Sequence, residues 1–145
     1  MSKFILYDKT RRRSTLQKKF LNPETMPATF GYSHVVDVSN ARTIYISGQV
    51  AINTEGNIVG VGDLASQTKQ VFENIRIALE ASEVSFHDVV KLTFFLTDIS
   101  QMPIVRDIRD QYIDTKNPPA SSAVEVSKLI KDELLIEIEA IAVGN

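Results

Sequence analysis

The chain has 145 residues with an ordinary globular composition, 43% hydrophobic and 23% charged, which excludes a disordered or fibrous protein. It contains no cysteine and two histidines, which excludes a disulfide framework, a thiol nucleophile and a multi-histidine metal site. No apolar run approaches the ~20 residues that a membrane span requires, and no signal-peptide core opens the chain, so one cytoplasmic domain without membrane contact is expected.

The formal net charge of −2 hides an uneven distribution of charged residues. The first 19 residues contain seven basic residues and one acidic residue, whereas the rest of the chain contains nine basic and seventeen acidic residues. Such a basic arm can contact nucleic acid, an acidic surface or the domain itself. A solubilising or self-docking arm is the favoured interpretation, ahead of nucleic-acid binding and of an arginine-rich targeting segment.

The first predicted elements are a loop and two strands. The segment 22–29 contains two prolines and is predicted to be an extended loop. Strand-like runs follow at 35–38 and 42–50, joined at Ser39-Asn40, where asparagine can adopt the left-handed turn conformation.

A long amphipathic helix is predicted after the glycine-rich segment 60–62. Asp63 is placed as its N-cap, and apolar positions then recur at spacings of three and four. One face of this helix comprises Leu64, Thr68, Val71, Phe72, Ile75 and Leu79. Ser85 and Asp88 form a capping-box-like pair before the next strand.

The second half of the chain predicts a strand, a shorter helix and two final strands. Residues 90–97 alternate between two faces, as in a half-buried strand. Ser100 is placed as the cap of a helix over 103–115. The last strands are predicted at 122–126 and 135–143.

This order of elements indicates an α+β domain in which two helices cover one face of a sheet. The other face has no predicted element to cover it, and Phe95, Ile141 and Val143 lie on that side of their strands. A monomer would expose a large apolar patch there, so self-association is expected.

Among residues that could carry chemistry, Glu137 and Glu139 are the strongest candidates. They point to the same face of a predicted strand within an otherwise apolar run. An edge or solvent-facing strand explains this pattern, and a general acid or base in a cleft wall is the functional alternative. A triad of Ser33, His34 and Asp37 is not favoured, since neighbours on one extended strand do not converge. The chain has no dinucleotide fingerprint and no phosphate-binding lysine motif, so no cofactor is expected.

Seven segments along the chain share their order and spacing with a known family. They are Gly31-Tyr32-Ser33-His34, Ile46-Ser47-Gly48-Gln49-Val50, residues 67–79, Asp88-Val89-Val90-Lys91, Phe95-Leu96-Thr97-Asp98, Pro119-Ala120 with Val124-Glu125-Val126, and residues 136–142. Through these segments the chain resembles the RidA (YjgF) family. The resemblance predicts a single RidA-like domain over residues 18–145 and leaves residues 1–17 outside it as the basic arm.

The resemblance implies a chorismate-mutase-like fold, with a mixed β-sheet, two helices on one face, and assembly as a homotrimer with ligand clefts between subunits. It also implies hydrolysis of enamine or imine acids to 2-keto acids and ammonia. In that reaction an arginine binds the substrate carboxylate and a glutamate positions the attacking water. A guanidinium suits the first task because its donors match a carboxylate bidentately.

Residue by residue, the resemblance assigns five positions of this chain. Glu137 matches the water-positioning glutamate and is the implied catalytic residue, while Tyr32 and Ser47 match cleft-lining positions. The position implied for the carboxylate-binding arginine holds Ser121, and Arg106 stands where a cleft asparagine is implied. A serine hydroxyl cannot replace a charged fork, so altered specificity or lost hydrolysis is expected while the fold and cleft remain.

Two interpretations of Arg106 remain open at this point. It can substitute for the absent arginine, or it can be a solvated helix residue that pairs with Asp110 four positions later, which is the favoured interpretation. The functional alternatives are an altered enamine/imine deaminase-type hydrolase, a non-catalytic metabolite-binding or regulatory protein, and, least favoured, an RNA-directed translation inhibitor or endoribonuclease. The expected partners are further copies of the chain and a small-molecule ligand.

Overall fold

The structure, a computed structural model, describes residues 15–145. Its strands are β1 (Gln17–Leu21), β2 (Val35–Ser39), β3 (Arg42–Val50), β4 (Val89–Leu96), β5 (Ala120–Glu125) and β6 (Ile136–Gly144). β1 and β2 form an antiparallel pair, and the other four strands form a sheet in the order β3-β6-β4-β5. In this sheet β6 is antiparallel to both of its neighbours, whereas β4 and β5 are parallel. The predicted mixed sheet is confirmed.

Two helices, α1 (Leu64–Ala81) and α2 (Met102–Arg109), cover one face of the four-stranded sheet. Short 3₁₀ turns at Phe86–Asp88 and Ile99–Gln101 lead into β4 and α2, respectively. The apolar sides of both helices belong to one core cluster with the inward side chains of the sheet. The predicted α+β class, with two helices on one sheet face, is therefore confirmed. None of the helices within 15–145 is both long and apolar enough to cross a membrane.

The start of α1 follows the sequence prediction. The Asp63 carboxylate accepts hydrogen bonds from Ser66 N at 3.2 Å and from Ser66 Oγ at 2.6 Å, and these bonds lower the pKa of Asp63. All six residues of the predicted apolar face are buried. The capping box of Ser85 and Asp88 is also present at the turn before β4.

Two predictions about the ends of elements were wrong. The predicted helix 103–115 ends at Arg109, because the backbone then includes turn bonds that span only three residues, such as Tyr112 N to Arg109 O at 2.9 Å, and the Tyr112 ring stacks on Phe72 at 4.9 Å. The cap assigned to Ser100 belongs to Asp98, whose carboxylate accepts from Ser100 N at 3.0 Å. That bond opens the 3₁₀ turn preceding α2, and no side chain caps α2 itself.

The two faces of the four-stranded sheet differ in burial. On the helix-covered face, Leu92, Phe94 and Ile138 are fully buried. On the open face, Phe95 and Ile141 are half-buried, in agreement with the predicted partly apolar surface. Val143, which was expected to share that exposure, is only 4% exposed, so the open face ends before it.

Candidate functional site

A pocket of about 210 Å³ lies between α2, the edge strand β5 and the loop that precedes β2. Its walls comprise Met102, Arg106 and Arg109 from α2, Ser121, Ser122 and Ala123 from β5, and Phe30 and Tyr32 from the loop. Three of the five predicted site residues, Tyr32, Arg106 and Ser121, are thus brought together. The part of this wall built from residues 15–145 combines two guanidinium groups and three hydroxyls with an apolar side, and no carboxylate of that range lines it.

The loop that carries Tyr32 is anchored to the start of β5. Ser33 is buried, and its N and Oγ atoms donate hydrogen bonds to Pro119 O at 3.1 Å and Pro118 O at 2.6 Å. His34 Nε2 lies 2.7 Å from Pro27 O, and its ring packs edge-on against the Tyr32 ring at 5.7 Å. Ser33 and His34 therefore hold the pocket wall in place, which explains their chemistry without a catalytic triad.

Arg109 is the pocket residue that the sequence reasoning missed. Its side chain is 6% exposed, and its Nε and Nη2 atoms both lie 2.9 Å from Asp110 Oδ1. The guanidinium packs directly against Gly31, where an added Cβ would collide with Nη2. Gly31 also has a positive φ of 75°, so this position favours glycine for two reasons. No periodicity predicts the burial of an arginine, and only the approach of the loop produces it.

The favoured interpretation of Arg106 was wrong in its partner. Asp110, the expected partner, is bound by Arg109 instead. Arg106 is exposed at the rim of the pocket, and its side chain forms no hydrogen bond or ion pair with any residue of the described range 15–145. Its guanidinium is therefore free to meet an anion that enters the pocket.

Glu137 and Ser47 lie apart from this pocket. Glu137 pairs with Phe95 of β4, whereas Ser121 pairs with Leu92, three residues away along the same strand. Because successive side chains of a strand point to opposite faces, Glu137 is on the open face and Ser121 is on the helix-covered face. Ser47 is exposed on β3 next to Gly48, the residue against which Glu137 packs.

The Glu137 carboxylate occupies a defined position beside β3. A Cβ added to Gly48 would lie 2.6 Å from Glu137 Oε1 and 2.8 Å from its Cδ, so only glycine leaves room for this carboxylate. The start of β6 is held by the buried Gln67, whose Oε1 accepts a hydrogen bond from Leu135 N at 2.8 Å. β6 pairs on both sides, so the edge half of the predicted edge or solvent-facing strand is wrong, whereas the solvent-facing half is confirmed at Glu139. Glu139 is solvent-exposed, whereas Glu137 is half-buried.

The comparisons with known proteins agree with this architecture. Residues 23–144 match the family model described as Endoribonuclease L-PSP. A RutC family protein of Pyrococcus abyssi is 39% identical over 128 residues, which cover 88% of this chain and 98% of that protein. The solved structure of YyfB from Yersinia pestis, a member of the conserved Rid protein family, matches with a TM-score of 0.77 and 35% identity, over 86% of this chain and 97% of that one. The chain belongs to the RidA (YjgF) family.

Some RidA-family relatives, among them proteins of Dermatophagoides farinae and Bos taurus, have a name that states a reaction. The protein named 2-iminobutanoate/2-iminopropanoate deaminase from Bos taurus is 39% identical over 131 residues, which cover 90% of this chain and 93% of that protein. In the RidA chain described here, no group of three or more metal-binding side chains occurs within residues 15–145. The five residues that the resemblance assigned lie in the pocket and in the Ser47–Glu137 region.

Proposed function

We propose that the chain forms a homotrimer whose clefts, each between two subunits, bind a small carboxylate-bearing metabolite and hydrolyse enamine or imine acids. One observation carries the proposal, which is that the candidate residues form two groups on opposite sides of one sheet. Tyr32, Arg106 and Ser121 line the pocket, whereas Ser47 and Glu137 lie at the open face. Groups separated in one chain form a single site only when a second copy brings its own group to the first.

The surface available for such a contact is consistent with a subunit interface. The open face carries half-buried Phe95 and Ile141, and Tyr45 on the neighbouring strand is 78% exposed. β5 is the last strand in the sheet order, and no strand within residues 15–145 pairs with its outer edge, which is therefore available to a partner. Apolar residues rimmed by polar ones at a sheet face are typical of an interaction site.

The proposed reaction needs few protein groups. Water adds to the carbon of a C=N bond, the nitrogen leaves as ammonia, and the carbonyl of a 2-keto acid remains. Glu137 accepts a proton from the attacking water, a task for a carboxylate within hydrogen-bond reach of it. The guanidinium groups and hydroxyls of the pocket hold the substrate carboxylate. The name of the bovine relative supports this substrate class.

The first test is the assembly and its activity. Light scattering at micromolar concentration is expected to give three times the chain mass of 16.2 kDa. Ammonia release from 2-iminobutanoate, generated in the assay, is expected for the wild type and lost in Glu137→Gln. A stable monomer contradicts the proposal, as does ammonia release that survives Glu137→Gln.

A mixing experiment tests whether two subunits share each site. Glu137→Gln removes the carboxylate, and Ser121→Trp fills the pocket with an indole ring. Each variant alone is expected to be inactive, but co-expressed trimers are expected to regain about a quarter of wild-type turnover. In a random mixture, about one site in four combines an unfilled pocket with a neighbouring subunit that retains Glu137. If the co-expressed variants recover no turnover, the whole site lies within one subunit.

Of the two alternatives, one is an outcome of the same measurements and the other is disfavoured by the charge of the chain. Binding of a 2-keto acid without ammonia release favours a metabolite-binding protein, which the serine at position 121 makes plausible. An RNA-directed activity accords with the description of the matching family model, but residues 20–145 carry nine basic and seventeen acidic residues, a balance that repels a polyanion. The cytoplasmic location stays a prediction.

A further inference from the structure

The polar wall of the pocket contains one guanidinium that is held in place and one that is not. Arg109 is almost fully buried and paired, whereas Arg106 is exposed at the rim. A buried charge is costly unless hydrogen bonds and an opposite charge compensate it, so the partners of each Arg109 donor decide what the pocket can bind.

The donors of Arg109 are only partly used. Its Nε and Nη2 atoms share one oxygen of Asp110, and Nη1 has no hydrogen-bond partner within residues 15–145. In that same range every fully buried side-chain nitrogen or oxygen has a partner, so Nη1 is reached by solvent. Since Arg109 lines the pocket, this free donor is available to a ligand there.

The charge of Arg109 is also incompletely balanced. The Asp110 side chain is 48% exposed, so water screens its attraction for the guanidinium. No carboxylate of residues 15–145 lines the pocket itself. An anionic group bound in the pocket would balance the buried charge of Arg109 and accept charge-assisted hydrogen bonds from it.

We propose that Arg109, on α2, is the receptor for the ligand's carboxylate, a role that the sequence resemblance implies for the position of Ser121 on β5. The inference rests on the proposed function and deepens it. Gly31 and Asp110 fix the plane of the guanidinium, and the hydroxyls of Tyr32 and Ser121 lie in the same wall to complete the binding of an oxygen.

The remaining wall indicates the rest of the ligand. Phe30 and Met102 give the pocket an apolar side, and its volume of about 210 Å³ is small. A carboxylate joined to a short aliphatic chain, as in a 2-oxo or 2-imino acid of a few carbons, matches this combination. Arg106 attracts the anion from the rim, with a smaller effect because its guanidinium is solvated.

The experiment measures binding of 2-oxobutanoate, a stable 2-keto acid, by titration calorimetry. Arg109→Gln is expected to weaken binding by about 10- to 100-fold, since it removes the cation and the charge-assisted hydrogen bond from its free donor. Arg109→Lys keeps the charge without the fork and is expected to fall between the wild type and Arg109→Gln. Arg76→Gln is the matched control, because Arg76 pairs with Glu73 and Glu80 on α1 and does not line the pocket.

A further variant distinguishes the two candidate positions for the receptor. Ser121→Arg places a third guanidinium beside Arg109, and we expect no gain in affinity because like charges then share a small pocket. The inference is overturned if Ser121→Arg raises the affinity for 2-oxobutanoate by more than about tenfold while Arg109→Gln leaves that affinity unchanged. The receptor would then lie on β5. Thermal unfolding verifies that each variant is folded, and Arg109→Lys decides the question if Arg109→Gln does not fold.

The outcomes separate this inference from the proposed function. Wild-type binding that survives both Arg109 substitutions overturns the inference alone, while ammonia release and its loss in Glu137→Gln still support the function. A wild type that releases ammonia but binds no 2-oxobutanoate also overturns only the inference. A wild type that does neither overturns both.

Discussion

Adjacent residues of β4 belong to two very different environments. Phe94 is fully buried beneath the helices, whereas Phe95, one position along the strand, is half-buried on the open face. The same alternation runs through β6, where Ile136 and Ile138 are fully buried and Glu137 lies against Gly48. Each strand therefore contributes alternate residues to two surfaces with separate tasks.

The two faces of the sheet differ in what they contribute, since one stabilises the fold and the other carries the groups for binding and reaction. The covered face is closed by residues of its own chain, so it supplies folding energy without any partner. The open face and the sheet edge retain polar groups, exposed aromatic surface and a pocket, features that a second copy or a ligand can use. Substitutions on the two faces are therefore expected to differ in kind as well as in size.

The largest expected effect comes from the matched pair Phe94→Ala and Phe95→Ala. Phe94→Ala is expected to lower the free energy of unfolding by about 3–5 kcal/mol, because it leaves a cavity in a closed core. Phe95→Ala is expected to cost about 1 kcal/mol within one subunit, since its own chain leaves that side chain half-buried, and any larger loss measures the proposed subunit contact. Urea unfolding at one fixed protein concentration measures both, and equal losses would show that the open face is as closed as the covered one.

A second prediction concerns the carboxylate of the open face. Gly48→Ala forces Glu137 to move, because the new Cβ would lie 2.6 Å from Oε1. Turnover of 2-iminobutanoate is expected to fall by roughly 10- to 100-fold with little change in unfolding, as small displacements of a reacting group are costly. Gly144→Ala is the control on β6, since its Cβ would meet Val84 and Arg42 at 3.1–3.2 Å but no carboxylate. If Gly48→Ala and Gly144→Ala show equal turnover, Glu137 takes no part in the reaction.

The smallest expected effect lies in the helix layer. The Tyr112 hydroxyl donates to Glu73 Oε1 at 3.1 Å, and burial, followed by this bond, raises the pKa of Tyr112. Tyr112→Phe keeps the stack on Phe72 but loses the hydrogen bond, at a cost of about 1 kcal/mol at neutral pH.

The same substitution predicts a pH dependence. A raised folded-state pKa means that the folded chain binds the phenolic proton more tightly than the unfolded chain does. The stabilisation is therefore complete below the ordinary tyrosine pKa of about 10 and is lost as the pH rises through the higher folded value. Unfolding midpoints of the wild type are expected to approach those of Tyr112→Phe above pH ~10. A difference between the two proteins that stays constant with pH would contradict this coupling.

Local signals predicted the elements that depend on near neighbours. Asp63 caps α1 through Ser66, three residues away, and Asn40 adopts the expected left-handed conformation with φ of 55°. β1 escaped prediction because Lys18 and Lys19 conceal its alternation among basic residues. Lys18 is held by distant groups, donating to His87 O at 2.7 Å and lying 3.6 Å from Asp88 Oδ1. A contact between residues so far apart in the sequence leaves no local pattern from which it could be predicted.

The sequence by itself determined the fold class, since hydrophobic period and capping residues act over a few positions, and its seven matching segments determined the family. Only the tertiary structure decided which of the candidate residues meet. It placed Ser121 and Glu137 on opposite faces of one sheet, and it buried Arg109 against Gly31, far away in the chain. The physical reason is that a charged side chain is buried by what packs on it, and that packing partner arrives from a loop whose path depends on the whole fold.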